Sequence, residues 1–157
     1  MIALDAAFGL NGPMADEKHL KVALRGTDWV QKWRDRYPGE SMDLSHSRML
    51  KVQLDDAVLE GADVTWVQCT GASMARVNLK GATGLQSNFS DANLEGANLE
   101  GCFLKGANFT NANLRGANLR GADLTEAYLI KADLTGADLT DAILTQVTTD
   151  GSIGFPS

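Results

Sequence analysis

The chain has 157 residues, a net charge of −6 and a sequence pI near 4.8. That length allows one modest core, and the acidic balance argues against direct nucleic acid binding, because phosphate contacts need a basic surface. No apolar run reaches membrane-spanning length, and two cysteines are too few for a disulfide scaffold.

In chain order, residues 1–14 read as a flexible N-terminus, with Gly12-Pro13 as a breaker and Met14 as a candidate alternative start. Met1-Ile2-Ala3-Leu4-Asp5 lacks the basic and long apolar regions of a signal peptide, so cytoplasmic residence is expected. Residues 15–41 read as a helical cap. Asp16 caps a first helix from Glu17 through Arg25, carrying Leu20, Val22 and Leu24. Gly26 interrupts it. Thr27 or Asp28 caps a second helix that ends near Tyr37, just before Pro38. Trp29, Val30, Trp33 and Tyr37 fall at helical spacing and are expected to share a face. Its nearest use is to cover Met42, Leu44 and Met49 in the segment that follows.

From Met42 to Gln146 the chain repeats every five residues without an insertion, in 21 consecutive units. The central position runs Leu44, Met49, Leu54 onward to Leu144 and is Leu in 14 of the 21. Two residues earlier stands a small residue, Ala in 14 units, and between them Asn or Asp in 12. A short fixed period over two thirds of a chain predicts a solenoid whose repeats contact their neighbours. Small-x-large is a two-residue alternation, so both side chains point to one face, as on a strand. The two further residues must turn a corner, and nine units place Gly at the second of them, as a positive φ favours. A corner every five residues gives four sides per coil, 20 residues per coil, and Ala and Leu packed inward on each side.

Ala92-Asn93-Leu94-Glu95-Gly96, Ala112-Asn113-Leu114-Arg115-Gly116 and Ala132-Asp133-Leu134-Thr135-Gly136 resemble the pentapeptide repeat family. The resemblance covers 42–146 and implies an all-β solenoid, a right-handed quadrilateral β-helix of about five coils, behind the N-terminal α-helical cap. Gly26, Trp33 and Arg34, followed by Pro38 and Asp43-Leu44-Ser45, resemble the amphipathic leader found before some bacterial arrays, with Val30 where a second Trp is common. Residues 147–157 form a C-terminal tail, too short for a capping helix.

No catalytic constellation stands out, and no enzyme activity or cofactor is expected. The two histidines, His19 and His46, have no companions at metal-ligand spacing; His46 reads as a solvated partner of Asp43. Cys69 and Cys102 fall on inward positions of different sides, more than one coil apart, which predicts free buried thiols. The Asn and Asp between Ala and Leu read as a ladder of cross-coil hydrogen bonds. Gly84 stands in a central slot, and either a bulge turns Leu85 inward or neighbouring coils fill the gap.

Residues 20 apart should stack. Glu60, Lys80, Glu100 and Arg120 then alternate in sign up one column, and Glu95 faces Arg115 while Asp56 faces Arg76. The acidic surplus gathers late, where Asp123, Glu126, Asp133, Asp138 and Asp141 face only Lys131. Trp66, Leu85, Phe103, Tyr128 and Ile130 are outward apolar residues and form a candidate interaction patch. These features predict a non-enzymatic protein–protein interaction scaffold. The family resemblance implies an alternative: some members imitate duplex DNA and bind DNA gyrase or a related topoisomerase, giving protection against inhibitors or toxins. A five-coil column is about 25 Å long, and duplex DNA of that length carries on the order of 15 negative charges. The array has 13 acids and eight bases, so imitation is confined to the late coils. The open last coil predicts a tail-to-tail homodimer centred on Ile143, Val147 and Phe155.

Overall fold

The computed structural model describes residues 15–155; the reading of residues 1–14 lies outside them. Two helices, α1 (Glu17–Ala23) and α2 (Thr27–Arg36), precede a four-sided column. Nineteen parallel bridges, from Asp43↔Asp63 to Asp133↔Ile153, all join residues 20 apart. Each side carries one bridge per coil, so the expected strands are too short to form continuous ladders along the chain. The four bridge columns begin at Asp43, Arg48, Gln53 and Val58, and define sides one to four in that order.

One unit explains the rest. Leu94 N–H donates to Asn113 O in the next coil at 2.8 Å, and Gly96 N–H donates to Arg115 O at 2.8 Å. Asn98 N–H reaches back to Val77 O at 2.9 Å, while Ala97 N–H closes the corner on Leu94 O at 3.0 Å. The corner residue before that closure has positive φ at every position from His46 to Gly151, 22 in all. Ten of these are Gly, but twelve are not, and they include Trp66 at 57° and Lys131 at 56°. A left-handed conformation costs a side-chain-bearing residue roughly 1–2 kcal/mol. From His46 to Lys131 the hydrogen bond from the corner N–H to the coil above, such as Trp66 to Leu85 O at 2.9 Å, offsets that strain.

Inside, the Ala and Leu positions are buried from Met42 to Leu134, and each buried Leu contributes roughly 1.5–3 kcal/mol. Phe89 and Phe109 stack on side two with ring centres 5.4 Å apart. At Gly84 the neighbouring coils fill the gap. An added Cβ would lie 3.0 Å from Leu104 Cδ2 and 3.2 Å from Val64 Cγ2, and Leu85 stays exposed. The bulge is not formed.

The ladder does not stop where the sequence pattern fades. Thr148 N–H donates to Ala127 O at 3.0 Å, and Leu134 N–H to Ile153 O at 2.8 Å. Backbone pairing needs no Leu, so Thr149 can occupy a central slot. Gly154 then turns the chain at φ 74°, lying so close to Leu134 that a Cβ would come within 2.8 Å of its backbone. Phe155, like Leu139, Leu144 and Val147, is partly buried against the core.

At the other end the helices contact the first coil. Ala23, Val30 and Trp33 join the core cluster, with Leu20 and Val22 packed against it. Three edge groups that lack a preceding coil find partners there. Asp43 N–H donates to His19 Nδ1 at 3.1 Å, Ala15 N–H to Ser45 O at 3.0 Å, and Thr27 Oγ1 to Asp55 O at 2.7 Å. Asp16 caps α1 through Lys18 N–H, but the helix ends at Ala23 rather than Arg25. Gly26, at φ 91°, rather than Thr27 or Asp28, is the N-cap of α2 and has no side chain to bond, and the Thr27 hydroxyl donates to Asp55 O instead. The expected aromatic face also divides: Val30 and Trp33 are buried, whereas Trp29 and Tyr37 are exposed. Trp33 packs edge-on against His19 at 4.8 Å.

Candidate functional site

Core and backbone positions leave only the outward side chains to meet a partner. The Asn and Asp residues between Ala and Leu are engaged by the column itself. In all 12 cases the side-chain Oδ1 accepts the N–H two residues on, as Asn98 does from Glu100 at 3.2 Å. Asparagine adds a second bond, because Nδ2 donates down one coil: Asn118 to Asn98, Asn98 to Asn78, and Asn113 to Asn93. Aspartate cannot donate. Where Asp133 and Asp138 replace Asn, the hydroxyls of Thr135 and Thr140 donate to them instead.

The charge pattern departs from the column count. Asp56 and Arg76 pair through two bonds of 2.7 Å, and Lys80 reaches Glu100 at 3.0 Å. Arg115 instead turns from Glu95 to Asp133 at 2.9 Å, and Arg120 from Glu100 to Asp138 at 3.3 Å and Asp141 at 3.9 Å. Lys105 meets Glu126 at 3.3 Å. The late acids therefore do not face Lys131 alone: four of the five expected there have an Arg or Lys from the coil below. Those pairs run diagonally, 18 or 21 residues apart, because a long Arg or Lys side chain reaches past its own column. The Thr135 hydroxyl and N–H, with Arg115, hold the Asp133 carboxyl down at about 2. Asp123 and Asp138 are held below the usual range in the same way by Thr125 and Thr140.

Of the candidate patch, Trp66, Leu85 and Phe103 lie on side one, and Tyr128 and Ile130 on side two. Trp66 is 46% exposed and Phe103 56%. Trp66 stacks on His46 with ring centres 6.4 Å apart, while the Asp43 carboxylate is taken by Ser45, so the expected His46–Asp43 pairing is replaced. Thr83 and Asp123 interrupt the side-one column around Phe103, which leaves these residues spaced rather than contiguous. Ile143 is exposed at the top of that column, and Val147 and Phe155 are half-buried.

Cys69 and Cys102 are both free and buried. Burial pushes their thiols up to about 12 and about 11, far from a reactive thiolate. Among the described residues no group of His, Cys, Asp and Glu could hold a metal ion, and no helix is long and apolar enough to cross a membrane. Trp29, outside the column, has the Arg25 guanidinium 4.4 Å and the Lys32 ammonium 5.1 Å from its ring centre. The Trp29–Lys32 spacing of three on a helix was the available signal.

No curated protein matches the chain. Among solved structures it is 30% identical to HetL, a pentapeptide repeat protein involved in heterocyst differentiation regulation from the cyanobacterium Nostoc sp. strain PCC 7120, over 72% of this chain and 55% of that one, with a TM-score of 0.41. It is 31% identical to a pentapeptide repeat protein of the Arabidopsis thaliana thylakoid lumen, over 64% of this chain and 63% of that one, with a TM-score of 0.45. The chain thus spans less than two thirds of either. QnrB1, a plasmid-mediated fluoroquinolone resistance protein, is 20% identical over 70% of this chain and 69% of that one with a TM-score of 0.34, a likeness that says nothing about function. The profile described as Pentapeptide repeats matches in three overlapping stretches, 65–106, 87–125 and 107–146. Together with the five-residue corners and 20-residue bridges, that match makes the chain a member of the pentapeptide repeat family, whose fold is the right-handed quadrilateral β-helix.

Proposed function

We propose that the chain is a non-enzymatic, cytoplasmic scaffold that binds another protein through the outer sides of its column, with α1 and α2 as the N-terminal cap. The observation that carries this reading is the engagement of every Asn and Asp ladder residue by the column's own backbone. Recognition then falls to the outward side chains that the ladder leaves free. Trp66, Leu85, Phe103, Tyr128 and Ile130 are the apolar ones, held on a rigid frame that loses little freedom on binding. A photo-crosslinking residue at Phe103 tests the patch. An adduct of defined mass formed in native lysate supports it, and an uncrosslinked monomer at Phe103 and Tyr128 alike contradicts it.

A second reading, binding of DNA gyrase or a related topoisomerase by imitation of DNA, draws support from the late carboxylates. Asp123, Asp133 and Asp138 are held in the ionised form by hydrogen bonds. Against it, Arg115 and Arg120 neutralise part of that surface. Replacing Asp133, Asp138 and Asp141 by Asn would abolish any inhibition of supercoiling. A wild type without effect at high micromolar concentration ends this reading. Self-association through Ile143, Val147 and Phe155 is the companion proposal. Leu139 and Leu144 N–H groups have no backbone acceptor among the described residues, so the last coil offers an edge. Light scattering coupled to size exclusion would report a dimer that Phe155→Asp dissociates; a monomer at tens of micromolar would rule it out.

A further inference from the structure

The charge of the molecule is divided along its length. Residues 15–51 hold eight bases and six acids, whereas 52–155 hold six bases and 13 acids. The two regions also differ in pairing. Beyond residue 51 every Lys and Arg except Lys131 lies within ion-pair distance of a carboxylate, but Arg25, Lys32 and Lys51 have none among the described residues.

Arg25 and Lys51 line two adjoining recesses between the α1–α2 turn and the first corner of the column, and Lys32 lies over the Trp29 ring beside them. Leu24 and Leu50 line one recess, Trp29 lines the other, and Arg25 and Gln53 line both. Leu24, Trp29 and Leu50 are 50%, 42% and 44% exposed. Single exposed apolar residues are ordinary; Leu24 and Leu50 together in one recess, with Trp29 in the adjoining one and Arg25 lining both, form an amphipathic site. Of the two carboxylates present, Asp55 is engaged by Ser73 Oγ at 2.7 Å and Ala75 N–H at 2.8 Å. Asp28 alone remains on the rim.

We propose that this recess binds an acidic segment of a partner protein, with a bulky apolar side chain of that segment set against Leu24, Trp29 and Leu50. Carboxylates on either side of the anchor meet Arg25, Lys32 and Lys51. Charge complementarity selects the occupant: Arg25 and Lys51 line the Leu24–Leu50 recess with no carboxylate among its lining residues, whereas Asp28 and Asp55 both lie in the Trp29 recess, so the Leu24–Leu50 side attracts acidic chains that the column repels. The two leucines favour a protein segment over a nucleic acid strand, which would stack its bases on aromatic rings. The inference rests on the scaffold reading but places the contact on the leader rather than on the sides.

The test uses two synthetic peptides with identical Leu and Phe spacing, one with Glu and one with Lys at the remaining positions, and an oligothymidylate strand. Binding to the full chain is followed by calorimetry and tryptophan fluorescence. The acidic peptide is expected to bind at least about tenfold tighter than either other probe. Trp29→Ala and Arg25→Glu should each weaken it by about tenfold or more, whereas Lys131→Ala should leave it unchanged. Both residues are exposed, and unchanged thermal unfolding of each variant confirms an intact column. Equal binding of the acidic and basic peptides, tighter binding of the oligothymidylate, or indifference to Trp29→Ala would overturn the proposal. A partner retained from lysate by both wild type and Arg25→Glu would sink this site while leaving the scaffold reading intact. Peptide discrimination without any retained partner would do the reverse.

Discussion

Asn98 offers the sharpest test of how the column is held. Its Oδ1 accepts Glu100 N–H at 3.2 Å and Asn118 Nδ2 at 3.3 Å, and its Nδ2 donates to Asn78 Oδ1 at 3.2 Å. Asn98→Ala removes all three bonds and leaves the Glu100 N–H without its acceptor. At about 0.5–1.5 kcal/mol net per bond, the loss is about 1.5–4 kcal/mol. Asn98→Asp keeps both acceptances and loses only the donation, while setting a carboxylate beside Asn78 Oδ1, so it costs about 1–2 kcal/mol. Urea unfolding of the three proteins, with native circular dichroism as a control, should rank wild type above Asp and Asp above Ala. An Ala variant within about 0.5 kcal/mol of wild type would refute the idea that the ladder holds the corners, because a lost bond costs more than that.

Further consequences are equally direct. Trp33→Ala should destabilise the protein by about 3–5 kcal/mol, measured by thermal unfolding, since Trp33 is buried against His19. Gly121→Ala meets no neighbour within 4 Å at φ 63° and should cost only the conformational strain of about 1–2 kcal/mol. Gly106→Ala collides with the Gln86 side chain as well, so chemical denaturation should rank it the worse of the two. Asp133, held down at about 2, binds fewer protons folded than unfolded. Its contribution is therefore present above the unfolded value near 3.9 and lost as pH falls through about 2. Melting temperature should drop between about pH 5 and pH 2, and Asp133→Asn should flatten that drop; parallel profiles would contradict it. Cys69 and Cys102 should react with a thiol reagent at pH 8 only after unfolding; rapid native labelling would show that the column opens.

The five-residue period made the column legible because it is a statement about inward side chains, and those decide the coil. What it did not carry is set by groups that obey no period. Twelve corner residues accept positive φ without being Gly, and in ten of them, from His46 to Lys131, the ladder bond at the corner offsets the strain. Arg115 and Arg120 choose diagonal carboxylates over those in their own columns, a choice made by side-chain reach. Gly84 was ambiguous because filling its slot depends on Val64 and Leu104 together. The late ladder from Thr148 to Ile153 is carried by backbone alone, so no side chain announced it. On the candidate surface, Trp66 and Phe103 were legible as outward breaks in a polar pattern. The recesses beside the α1–α2 turn were not, because Leu24 and Leu50 come together only when the helices fold onto the first corner.

A quantitative pull-down from native lysate tests the proposed protein-binding role of the column most directly. The folded chain is immobilised beside a thermally unfolded sample of the same protein. A protein retained near one-to-one by the folded chain and absent from the unfolded control is the expected result. Equal retention on both supports, or none on either at saturating lysate, would contradict the scaffold reading.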